Sequence, residues 1–148
     1  MGLSWSVPMR PCIARLCLAS AIAAASASAP LAASLTLRAE INGRNVVPPN
    51  DASATGYLTA TFDTVTRRLT WSGSHSGLSS KIRGVHFHGP ATPNETTDIV
   101  QRIRRLSGGS ATLTEEEAAD LIAGTWYVDI HTRAYRGGEI RGQLMRGK

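Results

Sequence analysis

Residues 126–132 read Trp126-Tyr127-Val128-Asp129-Ile130-His131-Thr132, and the parity of that run decides the fold. Trp126, Val128 and Ile130 form one apolar row, with Tyr127, Asp129 and His131 alternating between them. Side chains on a β-strand point to opposite faces with period two, so the run predicts a strand with an apolar inner face and a polar outer one. Val85-His86-Phe87-His88 repeats the alternation. Val85 and Phe87 belong to a core, which leaves His86 and His88 together on the other face.

Working outward, the same period recurs. Ser34 to Ile41, Gly56 to Phe62 and Arg68 to Ser74 alternate apolar and polar residues and are separated by turn-forming clusters such as Asn42-Gly43 and Pro48-Pro49-Asn50-Asp51. Lys81 to His88, Asp98 to Leu106, Trp126 to Thr132 and Glu139 to Met145 complete the set of predicted strands. In Asp98 to Leu106, Ile99 and Ile103 are the inward positions. Short strands at close spacing predict a sandwich or barrel. One helix interrupts them: Thr114-Glu115-Glu116-Glu117 is a capping box, in which the Thr114 hydroxyl and the Glu117 carboxylate each take a backbone N–H at the helix start. Ala118, Leu121 and Ile122 give that helix an apolar stripe, and Gly124 ends it.

The first thirty residues differ from the rest. Arg10 and Arg15 occur with no acid, and an Ala- and Ser-rich apolar stretch follows. That order is the order of a secretory signal peptide, spanning residues 1–27 with the cut between 27 and 33. Ala25-Ser26-Ala27 supplies the small-residue cleavage motif. The alternative is a retained membrane anchor, which an Ala-dominated run serves less well than a Leu-rich one. Residues 34–148 form a single domain, exported to the periplasm or medium, with no integral membrane segment after cleavage. Both cysteines, Cys12 and Cys17, lie in the leader without a lipobox, so no disulfide holds the mature chain. The full chain carries sixteen basic and eleven acidic residues; with Arg10 and Arg15 removed, the net charge is +3. That mild excess gives no support to nucleic-acid binding.

Three histidines carry the chemistry. If the strands containing His86, His88 and His131 are neighbours, three imidazoles converge on one outer face. Two ligands at i and i+2 of a strand sit about 7 Å apart at the backbone, a gap two imidazoles can close around one ion. Three neutral imidazoles suit copper first, at the top of the divalent affinity order, and zinc second. Asp129 and Tyr127 share the face as supporting groups. The same histidines also read as surface residues, or as polar groups bonding loops at the sheet end. His75 reads as an exposed strand-end residue, with a fourth ligand position as the other reading.

Gly84-Val85-His86-Phe87-His88-Gly89-Pro90-Ala91 resembles the A-H-I-H-G-P-A signature of the chordin (CHRD) domain family. Leu121 to Leu144 resembles that family's second block, a Y-V-N-I-H-T segment ending in G-G-E-I-R-G-Q-L. The resemblance runs from Leu35 to Met145 and implies a secreted module of loosely defined activity. The family is in turn similar to the immunoglobulin-like Greek-key barrel of copper/zinc superoxide dismutase, which implies an all-β, Greek-key sandwich or barrel with one short helix. By that likeness His86 and His88 match the dismutase H-x-H copper pair and His131 a late-strand copper histidine. The departures matter. No histidine lies between His88 and His131, where the dismutase takes its bridging and zinc ligands, and no cysteine pair is present. Dismutase activity is therefore not expected, and no enzyme class is assigned. The dismutase's active-site arginine has no assigned counterpart, although Arg133, Arg136 and Arg141 lie nearby.

Two function classes remain. One is a mononuclear metal-binding module, held by His86, His88 and His131. The other is a metal-free extracellular module that recognises a protein or glycan. Arg102, Arg104 and Arg105 form a basic run that reads as a charged edge strand, or as a contact for an anionic partner. Asn94-Glu95-Thr96 is a glycosylation sequon. Asp129 and Glu139 could serve as bases, but Asp129 more simply orients His131 or is merely exposed, and Glu139 is tied to the Gly137-Gly138 turn. No phosphate loop, nucleophile elbow or H-E-x-x-H helix appears.

Overall fold

Two long antiparallel pairings start the fold. Strand β1 (Ser34–Asn42) pairs with β2 (Thr55–Asp63), and β2 pairs with β3 (Arg68–Ser76). The tight connection from β2 to β3 follows from its residues. The Asp63 carboxylate accepts the N–H groups of Val65 and Thr66, both at 2.9 Å. Arg67 then turns the chain with a left-handed φ of 54°. The computed structural model describes residues 1–2 and 33–147. The predicted signal peptide beyond Gly2, its cleavage motif and both cysteines fall outside the described residues.

After β3 the chain crosses to the other half of the sheet. There β4 (Ile82–His88) pairs with β5 (Ile99–Ile103), and the chain returns to place β6 (Gly109–Thr112) beside β3. Helix α1 (Glu115–Ala123) leads to β7 (Tyr127–Thr132), β8 (Ile140–Gln143) and a short β9 (Met145–Arg146) that pairs with β1. The strand order is β5-β4-β7-β8-β1-β2-β3-β6. This is a nearly closed antiparallel barrel with Greek-key crossings and one short helix, as predicted.

Leu37, Ile41, Leu58, Phe62 and Leu69 fill the core from one half, and Phe87, Val128, Ile130 and Ile140 from the other. Trp71 of β3 meets Phe87 of β4 edge-on, with ring centroids 5.2 Å apart, and so locks the halves together. Each such side chain, fully buried, contributes about 1.5–3 kcal/mol. The capping box of α1 forms as read: Glu117 N–H donates to the Thr114 hydroxyl and Thr114 N–H to the Glu117 carboxylate. Gly124 closes the helix at φ 78°. No helix among the described residues is long and apolar enough to cross a membrane.

Three elements differ from the sequence reading. Strand β6, Gly-Ser-Ala-Thr, has no apolar alternation to announce it. Gly109 is needed there because a Cβ would fall 2.3 Å from the Trp71 ring. A bulge in the β4–β5 pairing between Phe87 and His88 shifts the parity of β5, so Val100 packs on the core rather than Ile99. The predicted strand from Glu139 to Met145 breaks at Leu144, whose side chain is buried and whose N–H donates to the Trp126 carbonyl.

Candidate metal centre

β4 and β7 are antiparallel neighbours, with His86 opposite Asp129, His88 opposite Tyr127 and Gly84 opposite His131. Val85, Phe87, Val128 and Ile130 point into the core and are buried. Their alternates, His86, His88, Asp129 and His131, therefore share the other face. One donor atom from each lies within 4.8 Å of all the others, so the group could hold a metal ion.

Asp129 is the hub. Its carboxylate lies 2.9 Å from His131 Nε2, 3.3 Å from His88 Nε2 and 3.6 Å from His86 Nδ1. The far ring nitrogens of two histidines are anchored to backbone: His88 Nδ1 lies 2.9 Å from the Thr97 carbonyl, and His131 Nδ1 lies 2.8 Å from that of Arg136. A carbonyl only accepts, so each Nδ1 carries a proton and each Nε2 lone pair faces the common centre. That arrangement fixes tautomer and ring orientation in the way metal-binding imidazoles require.

His86 Nδ1, His88 Nε2, His131 Nε2 and Asp129 Oδ1 are buried, and none makes a well-directed hydrogen bond. Buried polar atoms without partners are costly and uncommon. Four in one place, all directed at the same few ångströms, match the donor chemistry of a divalent transition ion. Without a cation, the 2.9 Å contact of His131 with Asp129 calls for a proton between them. The Asp129 carboxylate accordingly raises the His131 pKa above its ordinary 6.5, against the effect of burial. Burial pushes the Asp129 carboxyl up, but His131 and His88 outweigh it and leave its pKa below 3.8. For His86, burial outweighs the attraction of Asp129 and lowers the pKa.

The face is not the open surface that an outer sheet face suggests. His88 and Asp129 are buried, because the chain around Val46, Thr97 and Gly138 folds over them. A cavity of about 150 Å³ remains, bordered by His88, Tyr127, Asp129, His131 and Arg141. Arg141, itself buried, sits 3.5 Å above the Tyr127 ring, which stacks in turn on His88 at 4.6 Å and 3°. Its guanidinium also donates to the Glu95 and Thr92 carbonyls at 2.7 and 3.2 Å, pinning the covering loop.

The structure thus brings His86, His88 and His131 together and adds Asp129 at ligand distance, where the sequence reading made it a supporting group. Its shared parity with His131 was the available signal. Tyr127 stacks on His88, and its hydroxyl meets the Thr97 backbone. His75, at the exposed end of β3, is outside the group. Glu139 is fully buried and accepts from Ser79 N–H, Ser79 hydroxyl and Thr132 hydroxyl, which makes it a structural clamp rather than a base. Gly84 was missed: a Cβ there would lie 2.7 Å from the His86 ring, so the glycine leaves that ring its place.

A small β-barrel with a three-histidine, one-aspartate group, half-buried to buried, on one wall is the class of molecule these observations define. The CHRD domain model matches residues 37–144, and the chain belongs to the CHRD domain family. All four residues of the group lie within the matched span. No curated protein and no solved structure matches the chain.

Proposed function

We propose that this CHRD domain is an exported module that binds one transition-metal ion through His86, His88 and His131, with Asp129 as fourth donor. The observation that carries the reading is that His86, His88, Asp129 and His131 each bring a donor atom within 4.8 Å of the others, with buried donor atoms that lack a well-directed hydrogen bond. Copper(II) comes first by the divalent affinity order; zinc comes second, with a three-nitrogen, one-oxygen set that suits tetrahedral binding. Dismutase turnover is no part of the proposal, because the sequence between His88 and His131 contains no histidine. The role is metal handling outside the cytoplasm.

A second reading is a metal-free module that recognises an extracellular protein or glycan. A groove of about 480 Å³ favours it, lined by Arg44, Pro48, Pro49, Pro93 and Asn94 among others. Chelator separates the two. Under the metal reading, adding chelator to the purified protein lowers its melting temperature, and copper or zinc restores it. Under the second reading, neither addition changes the melting temperature.

A further inference from the structure

A second hollow, of about 390 Å³, lies on the other side of His86 and His131 and is lined by Arg83, Gly84, His86, Arg102, His131, Thr132 and Arg136. Three arginines border it and no acid does. Asp129, the carboxylate behind it, is turned to the imidazoles.

Each arginine is placed there by a separate device. Arg102 of β5 stands directly across the ladder from His86, on the same face. Arg83 would alternate into the core with Val85 and Phe87 if β4 were regular. The β4–β7 register instead passes from Ile82–Thr132 to Gly84–His131, which leaves Arg83 as the extra residue of a bulge, free to turn outward. Arg136 lies in the loop whose backbone is fixed by the His131 contact to its own carbonyl. The side chains of all three are exposed, and among the described residues none is held in an ion pair. Like charges brought together without counter-charges repel, and a bound anion relieves that repulsion.

We propose that this cleft binds an oxyanion, in which the guanidinium groups of Arg83, Arg102 and Arg136 meet a sulfate, phosphate or carboxylate group. Guanidinium forks match such groups geometrically, and the open shape of the hollow admits either a free ion or an anionic group carried on a glycan. The site borders the histidine group but does not rest on its holding a metal.

Titration of chelator-treated protein with sodium sulfate at constant ionic strength, followed by NMR of backbone amides and arginine side chains, tests this directly. The expected result is a saturable response centred on Arg83, Arg102 and Arg136. It should weaken by about tenfold or more in the double variant Arg102→Gln, Arg136→Gln. The variant Arg38→Gln, Arg146→Gln, which loses the same charge elsewhere on the surface, should bind as the parent does. A sulfated oligosaccharide that binds more tightly than sulfate and extends the response to Arg104 and Arg105 assigns a glycan source. Equal affinity per sulfate assigns the free ion. A non-saturating response, one spread evenly over exposed arginines, or one equal in both double variants overturns the proposal. None of these outcomes bears on the metal reading, because the titration is run without metal.

Discussion

Asp129 faces His86 across the β4–β7 ladder, and its carboxylate is also the nearest acid to His88 and His131. One buried carboxylate therefore organises three imidazoles. Asp129→Asn keeps the shape but removes the charge. It should weaken copper and zinc binding by at least about tenfold while leaving the core strands protected in hydrogen exchange. Unchanged affinity, measured by competition with a chromogenic chelator, would remove Asp129 from the set of donors.

The pH dependence of the metal-free protein follows from the same pair. The raised His131 pKa contributes stability that is fully present below pH 6.5 and is lost as pH rises through the higher folded value. The lowered Asp129 pKa contributes stability that is present above pH 3.8 and lost as pH falls through the lower folded value. His86 acts the other way on the acid side. Its lowered folded pKa means that stability falls as pH drops below 6.5 and the unfolded chain takes up a proton. Melting curves of chelator-treated protein should therefore lose stability on both sides of a weakly acidic window, and His131→Gln should remove the loss on the alkaline side. With metal added the trend is expected to reverse, the gain in melting temperature growing from about pH 5 to about pH 8 as protons stop competing for the imidazoles.

Gly84→Ala is a substitution aimed at one ring. The added Cβ would lie 2.7 Å from His86 Cε1 and Nε2, so the imidazole must move, while no backbone stands in the way. Metal affinity should fall by about tenfold, with a change in melting temperature of only a few degrees. A large loss of stability with unchanged affinity would show instead that the glycine serves the backbone.

Glu139 and Arg141 should behave as framework residues. Glu139→Ala strands the Ser79 N–H and the Ser79 and Thr132 hydroxyls, and should cost about 2–4 kcal/mol in denaturant unfolding. Arg141→Met removes both bonds to the covering loop, so amide exchange across residues 92–97 should speed up before any change in the core.

Period-two alternation made most of this fold legible, because half-buried strands write their inner face into the sequence. The face shared by His86, His88 and His131 was readable from Phe87 and Val128 alone. Strand β6 was not, since a Gly-Ser-Ala-Thr segment is held by pairing with β3 and by the Trp71 ring rather than by its own side chains. Ile99 was placed inward where Val100 packs, and simple parity would likewise turn Arg83 inward, because bulges flip the alternation and leave no mark in composition. The cover over the site was equally invisible. It depends on Arg141 reaching carbonyls some 46 to 49 positions away along the chain, a contact that spacing does not announce.

The central claim, that one ion is held by the histidine group, is tested most directly by calorimetric titration of copper and zinc. The parent protein is compared with the triple variant His86→Ala, His88→Ala, His131→Ala. The account expects one ion per chain in the parent and loss of that binding in the variant, with the barrel still folded by circular dichroism. Absence of binding in the parent, or equal binding in the folded variant, would contradict it.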